Sequence, residues 1–103
     1  MFHYQVTVED TKSVLSLNGD LDIDAFETVK EEIMTEQYST QHVEIDFSRV
    51  RFVDSTGIGL LIDLVHHLRN GGKAITIANV SREVQEVFSL LQLADILGKD
   101  VFI

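Results

Sequence analysis

The chain has 103 residues and a net charge of -9, with 17 acidic residues against eight lysines and arginines. This length allows one domain with a buried core and is too short for two. The negative charge disfavours direct binding to nucleic acid or to an anionic membrane surface. The absence of cysteine excludes disulfides, thiolate metal sites and thiol catalysis.

The chain carries no predicted targeting or membrane segment. Its N-terminal sequence lacks a basic stretch followed by an apolar run, and no stretch of about 18 apolar residues occurs. We therefore expect a cytoplasmic protein that forms a single domain over residues 1–103 and binds partners that are locally basic.

The N-terminal third predicts a β-hairpin followed by a helix. Residues 2–8 alternate between apolar and polar side chains, and SVLSLNG continues the alternation after the turn EDTK. A first amphipathic helix is predicted from Asp24 to about Gln37, with Asp22 or Asp24 as its N-cap. Its apolar positions at helical spacing are Ala25, Phe26, Val29 and Ile33.

The rest of the chain alternates strands with helices. HVEIDF predicts a third strand, and the segment after it predicts a helix from about Thr56 to Arg69 that ends at NGG. KAITIANV predicts a buried strand, Ser81 caps a further helix, and VFI predicts a short final strand. The order ββαβαβαβ indicates an α/β fold, a mostly parallel sheet with an antiparallel N-terminal edge and helices packed against it.

The segment RFVDSTGIGLL, residues 51–61, is unusual because two glycines enter a helix. Each glycine weakens a helix by about 1 kcal/mol relative to alanine, so another requirement must favour them. A helical wheel predicts a core stripe of Ile58, Leu61, Ile62, Val65 and Leu68, and an opposite side of Thr56, Gly59, Leu60, Asp63 and His67. We expect Ser55 to cap this helix, and the glycines with Leu60 to form a flat patch where a partner docks beside Ser55.

Catalytic and ligand-binding interpretations find little support. A serine hydrolase that uses Ser55 would need glycine where Val53 stands, and GIG and NGGK lack the spacing of a phosphate loop. His66 and His67 have no further ligands at metal-binding spacing. The sequence therefore predicts no catalytic residue, metal or cofactor.

Acidic or hydroxyl-bearing stretches follow three strands, as NGDLD, DFSRV and VDSTG, and they could converge at one edge of the sheet. Their carboxylates resemble the acidic pocket of a response-regulator receiver domain, but that domain needs a late lysine that TIANV does not offer. Turn and cap roles remain the alternative for most of them. The four residues are Asp20, Asp22, Asp46 and Asp54.

Two segments, LNGDLDIDAFETVK and VEIDFSRVRFVDSTGIGLLI, resemble motifs of the bacterial STAS-domain anti-sigma factor antagonists, and the resemblance spans nearly the whole chain. It implies a small switch protein that is not an enzyme. Its unphosphorylated form would bind an anti-sigma factor that is also a serine kinase, which releases the sigma factor. The kinase would use ATP to phosphorylate the serine after the motif aspartate, Ser55 here, and a serine phosphatase would reverse the reaction.

The resemblance also places Asp22 and Asp54 at acidic motif positions near that serine. Combined with the docking patch, it predicts a partner-binding set of Asp22, Asp54, Thr56, Gly57, Gly59, Leu60 and Asp63. Many members have proline before the third helix, where this chain has Ser81-Arg82. Some relatives are modules of sensory or anion-transporter assemblies without a kinase partner, which is the alternative; the compact chain with its own start favours the free-standing form.

Overall fold

Four strands form one mixed sheet in the computed structural model, which describes residues 1–103. They are β1 (His3–Glu9), β2 (Lys12–Asn18), β3 (His42–Arg49) and β4 (Ala74–Ala78), in the spatial order β1-β2-β3-β4. β1 pairs antiparallel with β2, whereas β2–β3 and β3–β4 are parallel. The predicted α/β fold with an antiparallel N-terminal edge is confirmed.

Helical elements connect the strands. Between β2 and β3, a 3-10 turn (Ile23–Ala25) and a π-helical turn (Thr28–Ile33) make up the first helical segment, residues 23–33. The others are α1 (Ser55–Asn70), α2 (Arg82–Leu90), α3 (Leu93–Leu97) and a 3-10 turn (Lys99–Val101). No helix is long and apolar enough to cross a membrane.

The first helical segment differs from its prediction. It ends at Ile33 instead of Gln37, and Phe26, predicted to be in the core, is 45% exposed. The buried positions are Ala25, Val29 and Ile33, four residues apart. Residues four apart lie on the same face of a helical segment, and Phe26, one residue after Ala25, lies off that face.

The predicted final strand is reduced to a single bridge. Phe102 pairs with Ile77 of β4, and the amide of Ile103 donates to the carbonyl of Ile77 at 3.0 Å. Gly98, at φ +98°, leads directly into the 3-10 turn Lys99–Val101. Because that turn takes up most of the C-terminal segment, only the last two residues reach the sheet.

The core lies on one face of the sheet, beneath the helices. Alternate strand residues bury their side chains on this face, and the ring of Phe47 meets that of Phe88 from α2 edge to face, with centroids 5.6 Å apart. The opposite face carries mostly polar side chains, including Ser16, Asp46 and Ser48. Because the helices pack on a single face, the polar face of the sheet carries no helix.

Candidate functional site

Two loops meet at the carboxyl ends of β2 and β3. Leu21 and Val53 form a parallel bridge, and the amide of Leu21 donates to the carbonyl of Phe52 at 2.9 Å. The amide of Gly19 donates to the carbonyl of Arg49 at 3.2 Å. We call residues 19–22 and 49–54 the loop junction. It extends the β2–β3 pairing past the sheet edge, so Asp22 and Asp54 follow directly from bridged residues.

Both aspartates cap helical elements. Asp22 accepts from the amide of Asp24 at 3.0 Å, which selects Asp22 from the two predicted caps. Asp54 accepts from the amide of Gly57 at 2.9 Å and is the N-cap of α1. The prediction that Ser55 caps this helix is therefore wrong. A carboxylate at the N-cap satisfies a free amide and also lies favourably at the positive end of the helix dipole.

Gly57 is buried and faces the loop junction, contrary to its predicted place on the docking surface. A Cβ atom at this position would lie 2.5 Å from the carbonyl carbon of Leu21 and closer still to its oxygen. That oxygen also accepts from the amide of Asp54 at 3.4 Å. Glycine is required here because any side chain would push α1 away from the backbone of residues 19–22.

Leu60 is also inside the protein, with 3% of its surface exposed, so its assignment to the polar side of α1 is wrong. The helical wheel of α1 assumed that this helix packs against the sheet alone. The first helical segment lies along the other flank of α1, where Lys30 forms an ion pair with Asp63 at 2.9 Å. Leu60 belongs to the same buried cluster as Val29 and Ile33 of that segment, whereas Ile62 on the opposite flank is only half-buried.

The open side of the α1 start carries the remaining predicted residues. Ser55, Thr56, Gly59 and Asp63 are exposed. A Cβ atom at Gly59 would meet no atom within 4 Å, so the glycine leaves free space at this position. Asp63 forms an ion pair with Lys30, and the positive charge of Lys30 reduces the negative potential that Asp63 adds to this surface. These exposed residues and the half-buried caps Asp22 and Asp54 form the candidate site.

The start of α1 favours an anion. Intrahelical bonding begins where the amide of Ile58 donates to the carbonyl of Asp54 at 2.9 Å, and the amide of Gly57 is occupied by the Asp54 carboxylate. The amides of Ser55 and Thr56 come before the first intrahelical hydrogen bond, so they have no acceptor within the helix. A negative group on the Ser55 hydroxyl would lie at the positive end of the helix dipole.

Asp46 does not join the candidate site. Its side chain lies on the polar face of the sheet, where it accepts from Asn79 at 2.9 Å and from the amide and hydroxyl of Ser48. Burial opposes ionisation, but these hydrogen bonds and one from Ser16 outweigh it and lower the pKa of Asp46. The four predicted carboxylates therefore do not form one acidic pocket. No group of three or more His, Asp or Glu residues is placed to hold a metal ion.

Three exposed apolar side chains lie in the loop junction or in the first helical segment, and the sequence analysis assigned none of them to a binding surface. Ile23 is 65% exposed, and Phe26 and Phe52 are also exposed. Ile23 follows the cap Asp22, and Phe52 precedes the bridged Val53. The alternation of the segment RFVDS offered a signal for Phe52, because burial of Val53 turns its neighbour outward. We call Ile23, Phe26 and Phe52 the apolar trio.

Comparisons with known proteins agree with this architecture. The family model described as "Mlab, STAS domain" matches residues 4–98. The anti-sigma-B factor antagonist of Staphylococcus aureus strain NCTC 8325 is 26% identical over 95 residues, which cover 90% of this chain and 87% of that protein.

Solved structures give the same picture. The anti-sigma factor antagonist SpoIIAA in its unphosphorylated form matches with a TM-score of 0.72 and 27% identity, covering 100% of this chain and 86% of that one. SpoIIAA of Bacillus in its phosphorylated form matches with a TM-score of 0.66 and 24% identity, covering 98% of this chain and 89% of that one. A sulfate transporter family protein from Wolinella succinogenes matches with a TM-score of 0.78 and 16% identity, covering 93% of this chain and 79% of that one. At this identity the match shows a shared fold alone.

Proposed function

The chain belongs to the STAS domain family, and on that premise we propose that it is an anti-sigma factor antagonist switched by phosphorylation of Ser55. The unphosphorylated form binds an anti-sigma factor that is also a serine kinase, and this binding frees the sigma factor. A serine phosphatase restores the binding form. The names of the similar proteins, and the occurrence of SpoIIAA in both forms, support the proposal.

The observation that carries the proposal is the position of Ser55. It is exposed, it is the first residue of α1, and it follows directly after the capping carboxylate of Asp54. A kinase can reach the hydroxyl without unfolding the helix. The capping role of Asp54 leaves this hydroxyl outside the cap hydrogen bond, so phosphorylation does not remove a contact that stabilises α1.

The loop junction and the first helical segment carry surface features that suit a protein partner. The apolar trio gives exposed hydrophobic area, which in folded proteins often marks an interaction surface. Asp22 and Asp54 add negative charge beside it. A partner with apolar side chains and basic residues complements this combination, which agrees with the overall net charge of -9.

Phosphorylation would act mainly on the complex and little on the fold. The phosphate adds about -1.5 to -2 charges and three acceptor oxygens. In the free protein, water and the start of α1 stabilise it. When a partner seals the surface, the dianion loses water beside the negative caps Asp22 and Asp54, and each 1.4 kcal/mol of that cost weakens binding about tenfold.

The direct test is to incubate the protein with ATP and candidate anti-sigma kinases and to locate the added phosphate by mass spectrometry. We expect one phosphate on Ser55, lost in Ser55→Ala and retained in Thr56→Val, which keeps the β-branched shape of threonine. Phosphate on Thr56 or on a histidine would contradict the assignment of Ser55.

A module of a sensory or transporter assembly is the alternative function. The likeness to the sulfate transporter family protein shows the fold alone, so it does not favour this alternative. The same incubation separates the two functions. No phosphorylation and no complex with any candidate anti-sigma factor would favour the assembly module.

A further inference from the structure

A polar groove lies beside the loop junction and has no role in the switch described above. It has a volume of about 310 Å³ and is lined by Asn18, Ser48, Arg49 and Arg51. Asn18 pairs with Arg49 across the end of the β2–β3 ladder, after a register shift. We call these four residues the arginine groove. Its lining offers two guanidinium groups, an amide and a hydroxyl, and no carboxylate.

The two arginines have no partners within the protein. The ion pairs of the chain are Lys12–Glu44 and Lys30–Asp63. Arg69 and Lys73 donate to backbone carbonyls, whereas Arg82 and Lys99 also have no side-chain partner. Arg49 and Arg51 are exposed and donate no side-chain hydrogen bond, although the chain holds 17 acidic residues. Two like charges around one groove are best stabilised by an anion between them.

The carboxylate of Asp46 lines an adjoining pocket but is already occupied. Its Oδ1 atom accepts from Asn79 at 2.9 Å and from the Ser48 amide at 3.1 Å, and its Oδ2 atom accepts from the Ser48 hydroxyl at 3.0 Å. Asp46 forms no ion pair with Arg49 or Arg51. The anion that fits the groove must therefore come from outside the chain.

Both arginines of the groove belong to the loop junction, which also carries the caps Asp22 and Asp54 of the candidate site. Arg51 is four residues before Ser55, a separation of at most about 14 Å along the chain. The carbonyl of Arg49 accepts from Gly19, on the loop that leads to Asp22. The loop junction thus carries the negative caps Asp22 and Asp54 and two arginines that form no ion pair. A partner that covers Ser55 meets both signs of charge.

We propose that Arg49 and Arg51 bind an acidic side chain of the anti-sigma factor and thereby fix its orientation over Ser55. This inference rests on the proposed function. Guanidinium groups pair with carboxylates through two parallel hydrogen bonds, which gives directional recognition that a lysine does not reproduce. The partner carries basic residues opposite Asp22 and Asp54 and a carboxylate opposite the groove, so it binds in one orientation only.

The test compares two double variants of equal net charge. Arg49→Glu with Arg51→Glu reverses the groove, and Arg82→Glu with Lys99→Glu reverses two exposed basic residues on α2 and near the C-terminus that also lack side-chain partners. Affinity for the anti-sigma factor is measured at low and high salt. We expect the affinity of the groove variant to fall at least about tenfold and that of the control less than about threefold. The reason is that charge pairs in close contact contribute more to affinity than the net charge of the protein does.

Further outcomes decide against the proposal. Equal losses in both double variants would show an effect of net charge and overturn it, as would unchanged binding in the groove variant. Failure of the wild type to bind any anti-sigma factor would refute the proposed function itself and the role of the groove with it. In a wild type that binds, Arg51→Lys should fall between the wild type and the groove variant, and an affinity equal to that of the wild type would refute bidentate pairing.

Titration with inorganic phosphate, followed by NMR of the arginine side chains, tests a small anion as the occupant. We expect only weak, non-saturating shifts. Saturable binding below about 1 mM, equivalent to more than about 4 kcal/mol, would assign the groove to a phosphate-bearing ligand and overturn the protein partner. Thermal melting of each variant checks that these exposed substitutions leave the fold intact.

Discussion

Gly57 and Gly59 lie two residues apart in α1 but face different surroundings. Gly57 is buried against the backbone of Leu21, and no side chain fits between them. Gly59 is exposed, and a Cβ atom there would contact nothing. The two glycines therefore serve different purposes: one lets the protein join its two loops, and the other leaves room outside. We call the side of α1 that carries Gly57 the sealed side and the side that carries Gly59 the open side.

The difference teaches how the site is held. On the sealed side, the Leu21–Val53 bridge and the contact of Gly57 with Leu21 keep Asp22 and Asp54 in fixed positions. On the open side, Ser55 is free to be modified because it makes no structural contact of this kind. A rigid frame beneath an accessible hydroxyl allows a covalent modification to change binding and leave the fold unchanged. Four substitutions test this division.

Gly57→Ala should have the largest effect on stability. The added methyl group forces the backbone of Leu21 to move, and overpacking of this kind costs about 1–3 kcal/mol. The gain of about 1 kcal/mol in helix propensity offsets only part of it. Because the methyl group would overlap backbone atoms of Leu21, we take the upper end of that range and expect a net loss of about 2 kcal/mol in urea unfolding. Binding to the anti-sigma factor should also weaken, because Asp22 shifts relative to Ser55. A variant as stable as the wild type would mean that the two loops are not held by this contact.

Ser55→Asp tests whether charge alone disrupts the complex. One negative charge at the first helical position is favourable in the free protein, so the melting temperature should change little. Binding should fall at least about tenfold, because the charge must be desolvated beside Asp22 and Asp54. Ser55→Asn is the uncharged control of similar size. If both variants lose binding equally, size and not charge determines the effect.

The sequence predicted the fold well because strand alternation and helical spacing are local patterns. It failed where a distant segment determines burial. Leu60 belongs to the same buried cluster as residues of the first helical segment, and Gly57 is packed against Leu21, which is 36 residues earlier in the chain. A helical wheel contains no information about such neighbours. The cap was misassigned for a different reason, since Asp54 and Ser55 are both good N-caps and only the geometry of the helix start decides between them.

Gly59→Ala should change stability and binding in opposite directions. Alanine at an exposed helical position adds up to about 1 kcal/mol of stability relative to glycine. If the anti-sigma factor approaches the open side closely, the same methyl group weakens its binding. We expect a higher melting temperature together with a measurable loss of affinity by calorimetry. A stabilised variant with unchanged affinity would show that position 59 lies outside the interface.

Ser55→Ala should have the smallest effect, and it separates the two neighbouring residues at the helix start. Because Asp54 accepts from the amide of Gly57 at 2.9 Å, removing the Ser55 hydroxyl leaves the cap intact. We expect a loss below about 0.5 kcal/mol for Ser55→Ala and about 1 kcal/mol for Asp54→Ala, which removes the cap. Denaturant unfolding of both variants under the same conditions gives the comparison. Ser55→Ala should also bind the anti-sigma factor like the wild type and resist phosphorylation. The reverse order of stabilities would mean that the serine hydroxyl caps α1, in which case phosphorylation would change the helix start as well as the charge of the surface.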